Sequence, residues 1–304
     1  MKFSIDATPP FRLDLTVWAL RRRDKNIVDR WDGSRYSRTW VYDGKIILIN
    51  LTQTGTEAHP KVIAELKSKS DLPPDFEKEI RQWALKVLGL NVDLGLFYKL
   101  TEFNAIIARL AREFKGVKPP RFPSIFEAMV NAIACQQVSL DAGIQILNRL
   151  CVQFGARFEE NEGVLYAFPR PEDLANASEA EIKKAGFSSQ KARSIKALAT
   201  TIQEKTMNLN ELERMPNESI VKCLMEIRGI GRWSAEYALL RGLGRLDSFP
   251  GDDVGAGNNL QRMFSLDAKP DYEQIKDLTS AWQPYQGMVY FHLLLERLRS
   301  RGLI

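Results

Sequence analysis

A chain of 304 residues, 44% hydrophobic and 27% charged, is long enough for two domains and globular in composition, which excludes an intrinsically disordered chain. No apolar run approaches the roughly 20 residues that span a bilayer, and the first 15 residues lack the apolar core of a signal peptide. The net charge of +5 permits nucleic-acid binding; the first 118 residues carry 21 basic and 15 acidic side chains, so the excess sits in the first third. The three cysteines, Cys135, Cys151 and Cys223, form no CxxC pair. That argues against zinc, an iron–sulfur cluster or a disulfide framework, and for a reducing intracellular location, cytoplasm or nucleoid.

Taken in order, residues 11–52 punctuate like a β-meander. Phe11-Arg12-Leu13-Asp14-Leu15 alternates apolar and charged side chains, Asp43-Gly44 marks a turn after Trp40-Val41-Tyr42, and Ile46–Leu51 reads as a buried strand. The Arg21-Arg22-Arg23 triplet reads as a solvated edge or loop, or as a phosphate contact. Residues 60–114 shift to helical spacing, with one helix opened by Pro73-Pro74 and closed by Gly89, and a second over Phe97–Phe114. Gly116 and the paired Pro119-Pro120 break both kinds of regular structure. A boundary is therefore expected there, with an α+β domain over 1–115 and a helical domain over 116–304.

Beyond it the signals are almost all helical. Ser124 and Ser178 each precede a glutamate by three residues, the spacing of a capping box. Further helices are expected over 140–154, 189–202, 217–227, 254–264, 271–279 and 287–299. Between two of these lies Gly229-Ile230-Gly231, a tight turn able to take positive φ and to leave backbone amides uncovered. Amides fanned out where a helix starts form an anion site, and a DNA phosphate fits it; a plain αα-turn has the same glycines. Trp233 and Tyr237 follow four apart on one helical face, as pocket wall or as ordinary core. Asp252-Asp253 then precede the helix at Val254, where either could act as N-cap. The two histidines, His59 and His292, are lone, and a packed or solvent-facing role fits them better than catalysis.

Together these stretches resemble the helix-hairpin-helix (HhH-GPD) DNA glycosylases, of the 3-methyladenine DNA glycosylase II type. Phe126-Glu127-Ala128 leading to Cys135-Gln136-Gln137-Val138-Ser139 is similar to a family segment in which glycine usually stands at Cys135. Phe168–Leu174, Ala185-Gly186-Phe187, the hairpin GIGRWSAEYALLRGLG and the closing FPGDDVG follow in the family's order, covering about residues 115–300. The resemblance implies a mainly α fold. A small antiparallel sheet comes first, followed by an all-α glycosylase domain in two helical lobes.

It implies chemistry as well. Hydrolysis of an N-glycosidic bond passes through an oxocarbenium-like sugar, which a nearby carboxylate stabilises. The family pattern assigns this role to Asp253, with Asp252 as the neighbouring rival. A flipped base needs aromatic walls, and the resemblance supplies Trp233 and Tyr237, with Trp282 and Tyr285 as further aromatic candidates. A pocket tryptophan of the family falls on Leu294 here. Gln137 stands at the position of the side chain that fills the gap left by the flipped base, although a polar helix terminus explains it equally. Gly229, Ile230, Gly231 and Arg232 would grip the DNA backbone, and carbonyls of Met225, Ile227 and Ile230 would hold a structural Na+ or K+ when DNA is bound. Lyase relatives carry lysine where Trp233 stands, so hydrolysis without strand cleavage is expected. No cofactor is required. The expected partner is double-stranded DNA containing damaged bases, met by a monomer without membrane attachment. The alternatives are a deaminated or oxidised base on the same scaffold, or a DNA-binding module without catalysis.

Overall fold

The structure is a computed structural model describing residues 1–161, 163–207 and 209–304. Strand β1 (Lys2–Asp6) is followed by helix α1 (Leu13–Arg21), then by strands β2 (Arg30–Trp31), β3 (Arg35–Tyr42), β4 (Lys45–Gly55) and β5 (Pro60–Ser68). They form an antiparallel sheet in the order β1-β5-β4-β3-β2. Asp43 and Gly44 both take positive φ and pair Tyr42 with Lys45, as a two-residue hairpin turn requires. Helix α2 (Phe76–Leu88) lies on the sheet, where Phe76 and Trp83 meet the Trp40 ring at 6.4 and 6.1 Å.

Three expectations for this third of the chain do not hold. Residues 13–21 form a helix, not a strand, and nearly every side chain of α1 is buried; a helix enclosed on all sides has no polar face to reveal its period. Conversely, residues 60–68 form a strand. Val62, Ala64 and Leu66 face inward while Lys61, Glu65 and Lys67 face out, a period of two within a stretch read as helical. The single helix expected over 97–114 is two, α3 (Gly95–Thr101) and α4 (Ala105–Glu113). Asn104 takes an extended φ of −136° and caps α4 by accepting the N–H groups of Ile106 and Ile107.

The remainder is mainly helical, in the order α5 (Ile125–Cys135), α6 (Leu140–Phe154), α7 (Pro171–Ala175), α8 (Glu179–Lys184), α9 (Ser189–Gln203), α10 (Leu209–Leu212), α11 (Asn217–Met225), α12 (Arg232–Ala238), α13 (Val254–Phe264), α14 (Tyr272–Ser280) and α15 (Gln286–Arg299). Between α6 and α7 lies a hairpin of β6 (Arg157–Glu160) and β7 (Gly163–Tyr166), strands too short to signal themselves. Phe158 and Leu165 from it pack on Leu48 of the large sheet. A π-helical turn, Leu239–Leu243, continues α12.

Beside the small cluster under the β6–β7 hairpin, the described residues form two large apolar cores. One joins the sheet and α2 to helices α5 to α12; the other joins α3 and α4 to α13, α14 and α15. Helix α1 gives Val17 and Leu20 to the first and Leu15 and Ala19 to the second, so it stands between the lobes. Phe114 and Val117 both belong to the second core, so the boundary expected at 115/116 falls inside it. No helix among the described residues is long and apolar enough to cross a membrane.

Candidate active site

A cleft of about 890 Å³ lies where α12, α13 and α15 meet the end of α5 and the end of α1. Its geometry begins at the hairpin between α11 and α12. Gly229 has φ of 87°, and a Cβ there would stand 2.1 Å from Ser194 Oγ, so both conformation and space demand glycine. Gly231 is different. Its φ is −98°, an ordinary value, and an added Cβ would meet nothing within 4 Å. It is the N-cap of α12 without a side-chain cap, so only the face toward solvent is kept bare. Gln136 ties the turn to α5, its Nε2 donating to Gly229 O and Ser234 Oγ, both at 3.0 Å. Its neighbour Gln137 sits in the left-handed region at φ 55°, exposed at the cleft mouth.

The paired aspartates separate in role. Asp252 binds Arg232, at 2.8 Å to Nε and 3.0 Å to Nη2, and the Arg232 guanidinium lies 3.6 Å over the Tyr272 ring. Asp253 is the N-cap of α13, with Oδ1 accepting Ala256 N–H at 2.8 Å. Its Oδ2 accepts Trp233 Nε1–H at 3.2 Å and the Tyr290 hydroxyl at 2.9 Å. Buried Glu236 supports this loop from behind, accepting Gly251 N–H and the Tyr272 hydroxyl; burial pushes its carboxyl up.

Trp233 and Tyr237 do share a face, their ring centroids 5.5 Å apart at 36°, and both line the cleft. Trp282 and Tyr285 do not. Trp282 is sealed against Phe264 and Tyr285 packs on Phe97, both in the second core. The face of α15 turned to the cleft carries Tyr290, Leu294 and Arg297, spaced as one helical stripe. Tyr290 thus escaped a reading that stopped at aromatics nearer the Trp-Gln-Pro stretch. Its spacing of one turn from Leu294 was the available signal.

The arginine triplet is not solvated. Arg21, Arg22 and Arg23 are each about 95% buried or more. Arg21 donates to the carbonyls of Arg23 and Trp31, and Arg23 binds Asp141 at 2.8 Å. Arg22, in the left-handed conformation that ends α1, reaches the cleft floor and donates to Tyr237 Oη at 2.9 Å and Asn131 Oδ1 at 2.5 Å. Beside it Arg241 from the π-helical turn donates to the carbonyls of Ala19 and Leu20, and both guanidiniums lie over the Phe122 ring. With Arg297 and Arg301 on the rim, the cleft is locally basic although residues 119–304 are not basic as a whole. Cys135 also lines the cleft, and a Cβ on Gly143 would stand 2.7 Å from its sulfur. His292 lies apart in the second core, with Nδ1 2.7 Å from Met288 O and its pKa pushed down by burial to about 4. Among the described residues no group of three or more His, Cys, Asp or Glu side chains could hold a metal ion.

The family model of HhH-GPD superfamily base excision DNA repair proteins matches residues 130–284, a stretch that starts within α5 and contains the hairpin and Asp253. The chain belongs to that superfamily. Its HhH-GPD relatives include a candidate DNA-3-methyladenine glycosylase of Bacillus subtilis, 29% identical and aligned over 96% of this chain and 98% of its own. The DNA-3-methyladenine glycosylase 2 of Escherichia coli is 28% identical over 62% of this chain and 64% of its own. Among solved structures, the 3-methyladenine DNA glycosylase of Archaeoglobus fulgidus superposes with a TM-score of 0.84 at 22% identity, covering 96% of this chain and 97% of its own, a likeness of fold.

Proposed function

We propose that this protein is a monofunctional DNA glycosylase that flips an alkylated purine, of the 3-methyladenine or 7-methylguanine kind, out of duplex DNA and hydrolyses its N-glycosidic bond. The observation that carries the reading is Asp253, fixed by three hydrogen bonds in a cleft walled by Trp233 and Tyr237 and beside a bare hairpin turn. The names of the relatives point to the same lesion class.

In this reading Gly229, Ile230, Gly231 and Arg232 meet the DNA backbone, and Gln137 enters the stack in place of the flipped base. The C1′–N bond breaks with its electron pair leaving on the base, whose positive charge is thereby neutralised. Asp253 faces the electron-poor C1′ through the transition state. A water oxygen then bonds to C1′ and its proton passes to Asp253 or to solvent, giving an abasic site. Carbonyl oxygens are suitable donors for a hard monovalent cation, and those of Met225, Ile227 and Ile230 would hold Na+ or K+ near the phosphate; the Ile227 carbonyl already accepts Ile230 N–H at 3.0 Å and keeps one lone pair. The protein acts as a monomer.

Schiff-base chemistry needs a free amine at the sugar. Position 233 is tryptophan, and the lysine lining the cleft, Lys191, donates to Ala134 O and Gln136 O at 3.2 and 2.6 Å. The Arg22 guanidinium on the floor favours a second substrate, an uncharged deaminated purine with a carbonyl acceptor. The test is incubation with methylated duplex DNA and with hypoxanthine-containing duplex. The expected result is free methylpurine and intact abasic strands, with no adduct trapped by borohydride. A trapped adduct or a nicked strand contradicts the monofunctional reading, and no base release contradicts catalysis.

A further inference from the structure

We infer that Tyr290 is a positioning residue for the reaction, its hydroxyl aiming the Asp253 carboxylate; this rests on Asp253 acting as proposed above. The Ala256 N–H pins only Oδ1. The carboxylate plane of an aspartate turns easily about its last torsion, so a second fixed point is needed to set its direction. Two donors supply it at Oδ2: the Trp233 indole at 3.2 Å and the Tyr290 hydroxyl at 2.9 Å, the shorter contact. Tyr290 is itself held, its ring edge-on to Phe249 at 85° and to Phe291 at 79°. Burial, then the Asp253 charge, keeps the phenol protonated and hence a donor.

Its ring packs against the second core while its hydroxyl faces the cleft. Tyr290 stands on the cleft-facing stripe of α15, one turn before Leu294, and spans from the second core to the first residue of α13's cap. The groups that line the cleft with Asp253 come from the surrounding elements: Tyr290 and Arg297 on α15, Trp233 on α12, Cys135 at the end of α5, Lys191 on α9, and Arg22 and Arg23 at the end of α1. Removing one hydroxyl leaves all the others in place.

Single-turnover base release from methylated duplex DNA is measured for wild type, Tyr290→Phe, Tyr290→Leu and Asp253→Asn, alongside affinity for duplex containing an abasic site. Tyr290→Phe keeps the ring against Phe249 and Phe291, so its abasic-DNA affinity should match wild type. Its rate should fall about tenfold. A Tyr290→Phe variant with the wild-type rate overturns the inference. So does a normal Tyr290→Phe beside a slow Tyr290→Leu, which would assign the role to the ring. Wild-type release by Asp253→Asn removes the underlying reading, and the inference with it. An inactive Asp253→Asn beside an unaffected Tyr290→Phe removes only the inference.

Discussion

Gly229 and Gly231 stand two residues apart in one turn and are glycine for different reasons. At 229 the backbone is left-handed and Ser194 Oγ fills the space of a Cβ. Gly229→Ala should therefore destabilise the fold by about 1–3 kcal/mol, read by denaturant titration. At 231 neither constraint exists. Gly231→Ala should leave the unfolding midpoint within about 0.5 kcal/mol of wild type while weakening binding to abasic-site DNA; equal affinity would remove the hairpin from the proposed DNA surface. This distinction is invisible in the letters GIG. The same limit applied at the aromatics: Trp233 and Tyr237 were legible because they share a face of a helix with a recognisable start. Trp282 and Tyr285 misled because the sequence does not show which way the chain enters α15. Arg22 offered no signal, since its role depends on α1 ending in a left-handed residue against another lobe.

Helix α13 begins at Val254 and ends at Phe264, as its cap and period indicate, because an N-cap aspartate is a local device written in adjacent residues. Helix α1 was hidden for the opposite reason: burial on all sides erased its period. The β6–β7 hairpin was hidden by length. Helix α15 carries a pH signature. Burial pulls His292 from 6.5 to about 4, so the unfolded chain takes up a proton that the folded chain refuses. The resulting stability is fully present above pH 6.5 and is lost as pH falls toward 4. Between pH 7 and pH 4.5 this amounts to about 2–3 kcal/mol. Urea unfolding of His292→Leu should show a loss over that interval smaller than wild type by this amount; an identical loss would show that His292 does not contribute.

Across the whole molecule, the sheet is joined to the helical lobe by a buried ion network. Arg38 on β3 binds Asp29 at 2.6 Å and Glu127 of α5 at 2.6 and 2.7 Å, with Tyr36 donating to Asp29. Glu127 belongs to the Phe-Glu-Ala motif, and its carboxylate serves this junction rather than the cleft. Arg38→Met should cost about 3–5 kcal/mol by stranding two buried carboxylates. Adding Glu127→Met should recover part of that loss in guanidinium unfolding, and no recovery would contradict the pairing. The antiparallel sheet and the mainly helical remainder were legible at this scale, whereas α3 and α4 joining α13 to α15 in one core is long-range packing that no local pattern encodes. The two lobes meet at the cleft, and the account turns on what Asp253 does there. The most direct measurement is single-turnover release of 3-methyladenine from methylated duplex DNA by wild type and Asp253→Asn, with abasic-DNA affinity as the folding control. Asp253→Asn should bind as wild type and release base at least about a hundredfold more slowly; release at the wild-type rate would contradict the account.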